Sequence, residues 1–207
     1  MKITCYGGTF DPPHLGHLRI GESVLEQGLT EKVLFIPAWI PPHKQEMRRA
    51  SFEDRFRMLE LLTEGNPKLE VSDFEQRKGG ISYTIETLRS LSRENPGDEF
   101  QFLIGSDSLR QLHTWFKAEE LAEKFPVLWF PRGGEAPVTE EELRKNWKTE
   151  TASRLFAGRI PGIQPMDVSS TGIRSLLRKG EKTEWLSQKI ETYIRKRSLY
   201  EYGTEQQ

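Results

Sequence analysis

A glycine-rich turn followed by two closely spaced histidines constrains the fold of this chain more than any other stretch. The apolar run Ile3 to Tyr6 leads into YGGTFDPPHLGHL, which ends at Leu18 and opens an amphipathic segment. This order predicts a strand, a tight loop and the N-terminus of a helix. Gly7 and Gly8 would let a ligand approach the backbone closely, and the N–H groups and positive dipole end of the helix favour an anion.

The two histidines of this stretch indicate chemistry on a phosphate group. His14 and His17 are three residues apart, so on the first turn of a helix their side chains point the same way. Each piece alone has an ordinary alternative, because a glycine pair is usually a turn and a single histidine is usually a surface or capping residue. The joint pattern GGTFDPPHLGH is more specific. It resembles the HxGH signature of the nucleotidylyltransferase superfamily, with His14, Gly16 and His17 as the defining triplet.

The length and charge of the chain bound its class. A chain of 207 residues suits one α/β domain, and we expect a single domain over residues 1–207 with a helical C-terminal segment from about residue 170. Lys and Arg total 30 against 31 Asp and Glu, so the charge balance argues against a nucleic-acid partner. The chain has no apolar run of about 18 residues and no leader-like N-terminus. We therefore expect no membrane partner and no signal peptide.

Cysteine usage indicates the compartment. The single cysteine, Cys5, lies in the first apolar run and cannot form an intramolecular disulfide, which suits a reducing environment. We therefore expect a cytoplasmic protein in which Cys5 is a small buried hydrophobic residue. The sequence leaves the oligomeric state open, with a homo-oligomer among the alternatives.

Short apolar runs alternate with helical patterns along the chain. This alternation predicts an α/β fold with a Rossmann-like, doubly wound parallel sheet and right-handed crossovers. Ligands of such sheets bind at the carboxyl ends of the strands. The predicted strands cover residues 2–6, 33–36, 69–71, 100–104 and 127–130, with a weaker candidate at 159–163, which contains Pro161. The predicted helices cover residues 15–27, 51–64, 84–92, 106–112, 117–125, 139–154, 170–178 and 184–197, and residues 77–83 form a predicted loop.

A second motif lies near the C-terminus, where VSSTGIR runs from Val168 to Arg174. Ser169, Ser170 and Thr171 precede an amphipathic helix, and the ordinary interpretation of such residues is a plain N-cap. Hydroxyl and N–H groups at a helix start also suit phosphate oxygens, and the guanidinium of Arg174 adds a charged donor fork one turn later. The stretch resembles the ISSTxIR motif of the nucleotidylyltransferases, with Val168 in place of isoleucine.

Together the two motifs make the chain similar to one family, the bacterial nicotinate-nucleotide adenylyltransferases. The resemblance extends over residues 2–200 and implies the nucleotidylyltransferase fold. It also implies transfer of the adenylyl group of ATP to nicotinate mononucleotide, which gives deamido-NAD and pyrophosphate in NAD biosynthesis. Five intermediate segments agree in order: PPHK (41–44), SYT (82–84), GSDSL (105–109), TW (114–115) and PRGG (131–134).

The family resemblance implies a mechanism and its residues. A phosphate oxygen of nicotinate mononucleotide would attack the α-phosphorus of ATP in line, so that catalysis depends on positioning and charge stabilisation. The candidate catalytic residues are His14, His17, Lys44 and Arg174. The candidate ATP-binding residues are Gly8, Thr9, Phe10, His14, His17, Gly105, Asp107, Ser170, Thr171 and Arg174. The candidate residues for nicotinate mononucleotide are Gly7, Gly8, Lys44, Tyr83, Thr84, Trp115 and Arg132.

Several of these assignments retain alternatives. If the first strand and residues 100–104 are neighbours, the glycine loop faces Asp107, which could accept from a ribose hydroxyl or cap a helix. Trp115 could stack on the pyridine ring or pack as an ordinary aromatic residue, and Thr84 could donate to the substrate carboxylate. Arg132 could hold a nucleotide phosphate or be an ordinary solvated side chain.

The expected cofactor is Mg²⁺, held on the triphosphate mainly by phosphate and water oxygens, and no residue is predicted as a metal ligand. Two alternative functions are another HxGH enzyme, such as a phosphopantetheine adenylyltransferase, and a non-catalytic nucleotide sensor. The SYT and TW segments disfavour the first, and the presence of both histidines, Lys44 and Arg174 disfavours the second. The neutral charge disfavours an RNA-binding protein related to class I synthetases.

Overall fold

A five-stranded parallel sheet organises the computed structural model, which describes residues 1–40 and 50–202. The strands lie in the order β3-β2-β1-β4-β5, and every neighbouring pair is parallel. Because β1 lies beside both β2 and β4, the chain changes its direction of progress across the sheet at β1, where doubly wound sheets bind ligands. The strand bounds are β1 Lys2–Gly8, β2 Lys32–Pro37, β3 Leu69–Val71, β4 Glu99–Gly105 and β5 Val127–Phe130.

Helices cover both faces of the sheet and bury apolar stripes against it. In α4, for example, Ile85, Leu88 and Leu91 follow helical spacing and are all buried. The helix bounds are α1 Leu15–Glu26, α2 Phe52–Thr63, α3 Phe74–Lys78, α4 Thr84–Glu94, α5 Ser106–Gln111, α6 Ala118–Lys124, α7 Glu140–Arg144, α8 Thr149–Ala157, α9 Ser170–Arg178 and α10 Gln188–Lys196. Short 3₁₀ turns occupy Leu112–Thr114 and Leu199–Glu201.

Two hydrophobic clusters lie on opposite faces of the sheet, because successive side chains of a strand point to opposite sides. Along β4, Phe102 and Ile104 belong to the cluster that packs against α4, α5 and α6, while Leu103 belongs to the other. Cys5 is buried in the first cluster, as predicted. The prediction of a parallel, doubly wound α/β sheet with a helical C-terminal segment is confirmed.

The C-terminal helices pack on the same face as α1 and α2. Ile173 of α9 and Ile190 of α10 are buried in the second cluster beside Ile20 and Leu59. This packing brings the second sequence motif beside the loop that follows β1, the central strand of the sheet. Among the described residues, none of the helices combines the length and apolar character needed to span a membrane.

The predicted helix over residues 139–154 is wrong, because the structure divides this segment into α7 and α8. Leu143 and Trp147 are buried, and a straight helix would continue their stripe through the polar residues Thr151 and Arg154. The break between the two helices shifts the phase, so that Ala152 and Leu155 become the buried residues.

Three other segments also differ from prediction. The strand predicted at residues 159–163 is reduced to one bridge between Arg159 and Trp129, since Pro161 has no N–H to continue a ladder. The predicted loop at 77–83 starts inside α3, a short helix that sequence reasoning missed. The last helix begins at Gln188 rather than 184, because the hydroxyl of Ser187 accepts from the N–H of Ile190 and caps it there.

Candidate active site

A cleft of about 730 Å³ opens at the carboxyl ends of β1 and β4, and we call it the main cleft. All ten residues predicted to bind ATP line it, and so do Gly7, Trp115 and Arg132 from the predicted acceptor site. A second cavity of about 710 Å³, the side cavity, is lined by Tyr83 and Thr84 and also by Trp115. Trp115 therefore stands between the two spaces. Lys44 lies outside the described residues.

The two histidines form a stacked pair at the start of α1. Their ring centroids are 3.6 Å apart, and the backbone N–H of His14 donates to Nδ1 of His17 at 3.1 Å. Because Nδ1 of His17 accepts, its ring proton lies on Nε2. His14 is buried, and neither of its ring nitrogens has a hydrogen-bond partner among the described residues. Such orphaned polar atoms beside a cleft are expected where a polar ligand completes the site.

Both imidazoles are neutral at neutral pH. Burial and then the charge of Arg132 lower the pKa of His14 to about 3. Burial, the adjacent His14 ring and Arg132 hold the pKa of His17 well below its usual value. The pair therefore offers N–H donors to a ligand rather than positive charge.

Glycines allow close packing around residues 8–17, which contain both histidines. A Cβ on Gly16 would lie 2.9 Å from Cγ1 of Val168 and 3.0 Å from Nδ1 of His14. A Cβ on Gly8 would lie 3.0 Å from the ring of Phe10, which is buried against Tyr6 and His17. No described atom comes within 4 Å of the corresponding point on Gly7. A side chain at Gly8 or Gly16 would thus displace Phe10, or Val168 and His14. The sequence alone predicts close approach of a ligand at Gly8 and does not indicate this packing.

Direct hydrogen bonds join the two sequence motifs. We call residues 9–13 the signature loop. The hydroxyl of Ser170 donates to the carbonyl of Pro12 at 2.9 Å, across 158 residues of sequence. Arg174 donates to the carbonyl of Asp11 at 2.6 Å and to the hydroxyl of Thr171 at 3.2 Å. The two hydroxyls predicted to face phosphate thus have protein partners: that of Ser170 fixes α9 beside the signature loop, and that of Thr171 accepts from Arg174 within α9.

Asp107 and Arg132 form an ion pair across the main cleft. Nε of Arg132 lies 3.3 Å from Oδ1 of Asp107, and both side chains are partly exposed. The N–H of Arg132 donates to the hydroxyl of Ser106 at 2.9 Å, which fixes the loop after β5. A Cβ on Gly105 would lie 2.4 Å from Oδ1 of Asp107, so any larger residue there would displace this pair. Asp107 does not cap α5, whose N-cap is Gly105.

The side cavity has aromatic walls. The rings of Tyr83 and Phe116 have centroids 4.6 Å apart, and Trp115 is half-buried beside them. Thr84 is the first residue of α4, and no described side chain caps this helix. The N–H of Glu86 donates to the carbonyl of Tyr83, so the N–H groups that a ligand could engage here are those of Thr84 and Ile85.

Sequence reasoning missed two buried charged residues that hold the site together. Arg55 donates to the carbonyls of Thr9 at 2.8 Å and Ala38 at 2.9 Å, and so links the loops after β1 and β2. Glu75 accepts from the N–H of Trp39 at 3.3 Å and the hydroxyl of Thr87 at 3.1 Å. The only local signal for Arg55 is a charged residue on the buried stripe of α2.

Burial raises the pKa of the Glu75 carboxyl, and its hydrogen bonds to Ser82, Thr87 and the backbone of Trp39 oppose that shift. Glu75 also lines a third cavity of about 230 Å³, between the glycines of β1 and the start of α4. Through its hydrogen bonds to Trp39 and Thr87, Glu75 therefore holds the loop after β2 beside α4, which begins at Thr84. Within residues 1–40 and 50–202, no group of three or more His, Cys, Asp or Glu side chains could hold a metal ion.

Comparisons with known proteins agree with this geometry. The cytidylyltransferase-like family model matches residues 5–176. A protein from Caldicellulosiruptor bescii named probable nicotinate-nucleotide adenylyltransferase is 37% identical over 203 residues, covering 97% of this chain and 99% of its own. One of the same name from Geobacter metallireducens is also 37% identical, covering 97% and 98% of the two chains.

The fold also matches solved structures. The nicotinic acid mononucleotide adenylyltransferase of Plasmodium falciparum, complexed with NaAD, superposes with a TM-score of 0.76 at 19% identity. That match covers 97% of this chain and 98% of the other, and at this identity it shows the fold alone. The same protein complexed with APC gives a TM-score of 0.74.

Proposed function

Since this chain belongs to the nicotinate-nucleotide adenylyltransferases of the cytidylyltransferase-like family, we propose that it transfers the adenylyl group of ATP to nicotinate mononucleotide. The products are deamido-NAD and pyrophosphate. A phosphate oxygen of the acceptor forms the new bond to the α-phosphorus of ATP, and the bond from that phosphorus to the β-phosphate bridging oxygen breaks. The enzyme contributes by positioning both substrates and by stabilising the charge that develops at the α-phosphate.

One observation supports this proposal for the site: the two motifs close on one cleft in which both ring nitrogens of the buried His14 lack hydrogen-bond partners among residues 1–40 and 50–202. His14 and the Nε2–H of His17 supply neutral donors to the α-phosphate. Arg174, held on the carbonyl of Asp11, supplies the fixed positive charge for phosphate oxygens. Arg132 and Asp107 can exchange their ion pair for a phosphate and a ribose hydroxyl of the bound nucleotides. Lys44 is proposed as a further phosphate contact.

The acceptor occupies the space between the main cleft and the side cavity. Trp115 lines both, so its indole can stack on the pyridine ring while the phosphate of the acceptor reaches the main cleft. Thr84 and the first N–H groups of α4 are donors for the pyridine carboxylate. Tyr83 forms the wall of the same cavity.

The nucleotide substrate is Mg·ATP, whose metal ion is held by phosphate and water oxygens. ATP would enter the main cleft as its Mg²⁺ complex, and the bound ion would neutralise part of the triphosphate charge. We propose that the whole chain works as one cytoplasmic domain, with ATP in the main cleft and the acceptor between the main cleft and the side cavity.

A panel of phosphate acceptors tests the function. Purified protein is incubated with ATP, Mg²⁺ and either nicotinate mononucleotide, nicotinamide mononucleotide or phosphopantetheine, and pyrophosphate is measured. We expect release with the nicotinate nucleotide and none with phosphopantetheine. Release with phosphopantetheine alone would point to another enzyme of the same fold, and ATP binding without release with any acceptor would point to a nucleotide sensor.

A further inference from the structure

A buried carboxylate in the signature loop is held by a residue near the other end of the chain. Asp11 is 2% exposed, and its Oδ1 accepts from the hydroxyl of Tyr200 at 2.7 Å and from the N–H of Ala50 at 3.2 Å. Its Oδ2 has no hydrogen-bond partner among the described residues and lies 3.9 Å from Nη1 of Arg174. Because a buried carboxylate is unfavourable without partners, the Tyr200 hydroxyl helps determine where Asp11 sits.

Asp11 holds the guanidinium of Arg174 in turn. The carbonyl of Asp11 accepts from Nη1 at 2.6 Å, and the side chain of Arg174 is only 12% exposed. The same residue thus presents a carbonyl and a carboxylate to one guanidinium. A movement of Asp11 would shift the charge that Arg174 offers to the main cleft, and also the loop that leads to His14.

The backbone around Tyr200 has an unusual conformation. Tyr200 has φ of 61°, and its neighbours Ser198 and Glu201 have φ of 51° and 52°. Residues other than glycine rarely adopt this left-handed conformation, and it persists where surrounding contacts determine it. The preceding helix is anchored as well, because the hydroxyl of Tyr193 donates to Asp54 at 2.9 Å.

From these contacts we propose that Tyr200 is a positioning residue for ATP in the adenylyl transfer. Its hydroxyl fixes Asp11, and through Asp11 it orients Arg174 toward the triphosphate. This inference rests on the proposed function. Tyr200 touches no substrate in this scheme, so loss of its hydroxyl weakens ATP binding and leaves the acceptor contacts of Thr84 and Trp115 unchanged.

The variant Tyr200→Phe removes the hydroxyl and keeps the ring. We expect its Kd for a non-hydrolysable ATP analogue to rise about fivefold, while the KM for nicotinate mononucleotide changes by less than about twofold. The matched control is Tyr202→Phe, which removes a hydroxyl of the same turn that contacts Arg195 rather than Asp11. That control should bind the analogue like the wild type. A loss common to both variants, or equal effects on the two substrates, would show a general structural role and overturn the proposal.

A double-mutant cycle tests whether Tyr200 acts through Arg174. In an Arg174→Ala background, Tyr200→Phe should cause little further loss of ATP-analogue affinity, because the group that it orients is gone. Asp11→Asn, which removes the charge beside Arg174, should weaken binding by a similar factor in the wild-type background. Equal losses in both backgrounds would overturn the proposal. Binding of the analogue is measured calorimetrically without turnover, so absence of adenylyl transfer with every acceptor would count against the proposed function and not against this result.

Discussion

Individual side chains in the main cleft act mainly through charge and hydrogen bonds placed before the substrate arrives. His14 and His17 are the clearest case, since stacking and burial keep both rings neutral and fixed. A neutral imidazole gives an N–H donor with no cost of moving a charge into the site. Arg174 is the complementary case, because its charge is permanent and is held by the backbone of Asp11.

At this scale we predict that His17→Ala lowers kcat by about 10²–10³ and leaves the fold intact, because one preorganised donor to the α-phosphate is lost. Steady-state pyrophosphate release and thermal unfolding measure the two parts. The matched control is His113→Ala, which removes an exposed histidine of the same protein and should change neither. Wild-type turnover in a folded His17→Ala protein would contradict the assignment.

For Arg174→Ala we expect a different pattern, chiefly a higher KM for ATP. A guanidinium on phosphate oxygens binds the ground state and the transition state alike, so its loss affects binding more than kcat. Arg144→Ala is the control and should leave KM unchanged, because its exposed side chain pairs with Glu140 of the same helix, α7. An unchanged KM for ATP in Arg174→Ala would show that the C-terminal motif is wrongly placed.

At the scale of elements, we propose that the start of α4 determines which acceptor is used. Nicotinate and nicotinamide nucleotides have nearly the same shape, but a carboxylate only accepts hydrogen bonds and an amide also donates them. The donors at Thr84 and the helix dipole favour the acid, and each unpaired buried group costs about 1–3 kcal/mol.

We therefore predict at least about a tenfold preference for the nicotinate nucleotide in kcat/KM, because about 1.4 kcal/mol corresponds to one decade. Trp115→Ala should raise KM for both acceptors in similar proportion, since the indole stacks on either ring. Steady-state kinetics with both nucleotides measures both effects. The acceptor model fails if the wild type uses the two equally, or if Trp115→Ala loses selectivity but keeps affinity.

At the scale of the whole molecule, the buried histidine couples stability to pH. The pKa of His14 is about 3 in the folded protein and near 6.5 when unfolded, so the unfolded chain binds more protons between these values. Above about pH 6.5 the imidazole is neutral in both states, and His14 does not lower the free energy of unfolding. As the pH falls below this value, the free energy of unfolding declines by at most about 1.4 kcal/mol per pH unit for this group. Urea unfolding from pH 7 to pH 5 should show a shallower decline in His14→Gln than in the wild type. His113→Gln should follow the wild type, and parallel curves for His14→Gln and wild type would contradict the prediction.

Much of this molecule could be predicted from sequence, because its determinants are local. Each strand is a short apolar run, and the histidine pair follows from a spacing of three residues. The residues that sequence reasoning missed have roles set by distant partners. Arg55 is an ordinary helical arginine until the loops after β1 and β2 reach it, and Glu75 is one acidic residue among many until Trp39 and Thr87 surround it. The break between α7 and α8 likewise depends on a core surface that the segment itself does not encode.

The bond between Ser170 and Pro12 has a consequence for the order in which the protein is built. The signature loop leaves the ribosome early, but its partners Ser170, Arg174 and Tyr200 are synthesised about 160 to 190 residues later. Long-range contacts of a nascent chain form only when the distant segment emerges, so the main cleft is completed only after these residues have been made. A chain that stops before residue 170 can contain all five strands and both histidines and still lack Arg174 beside the signature loop.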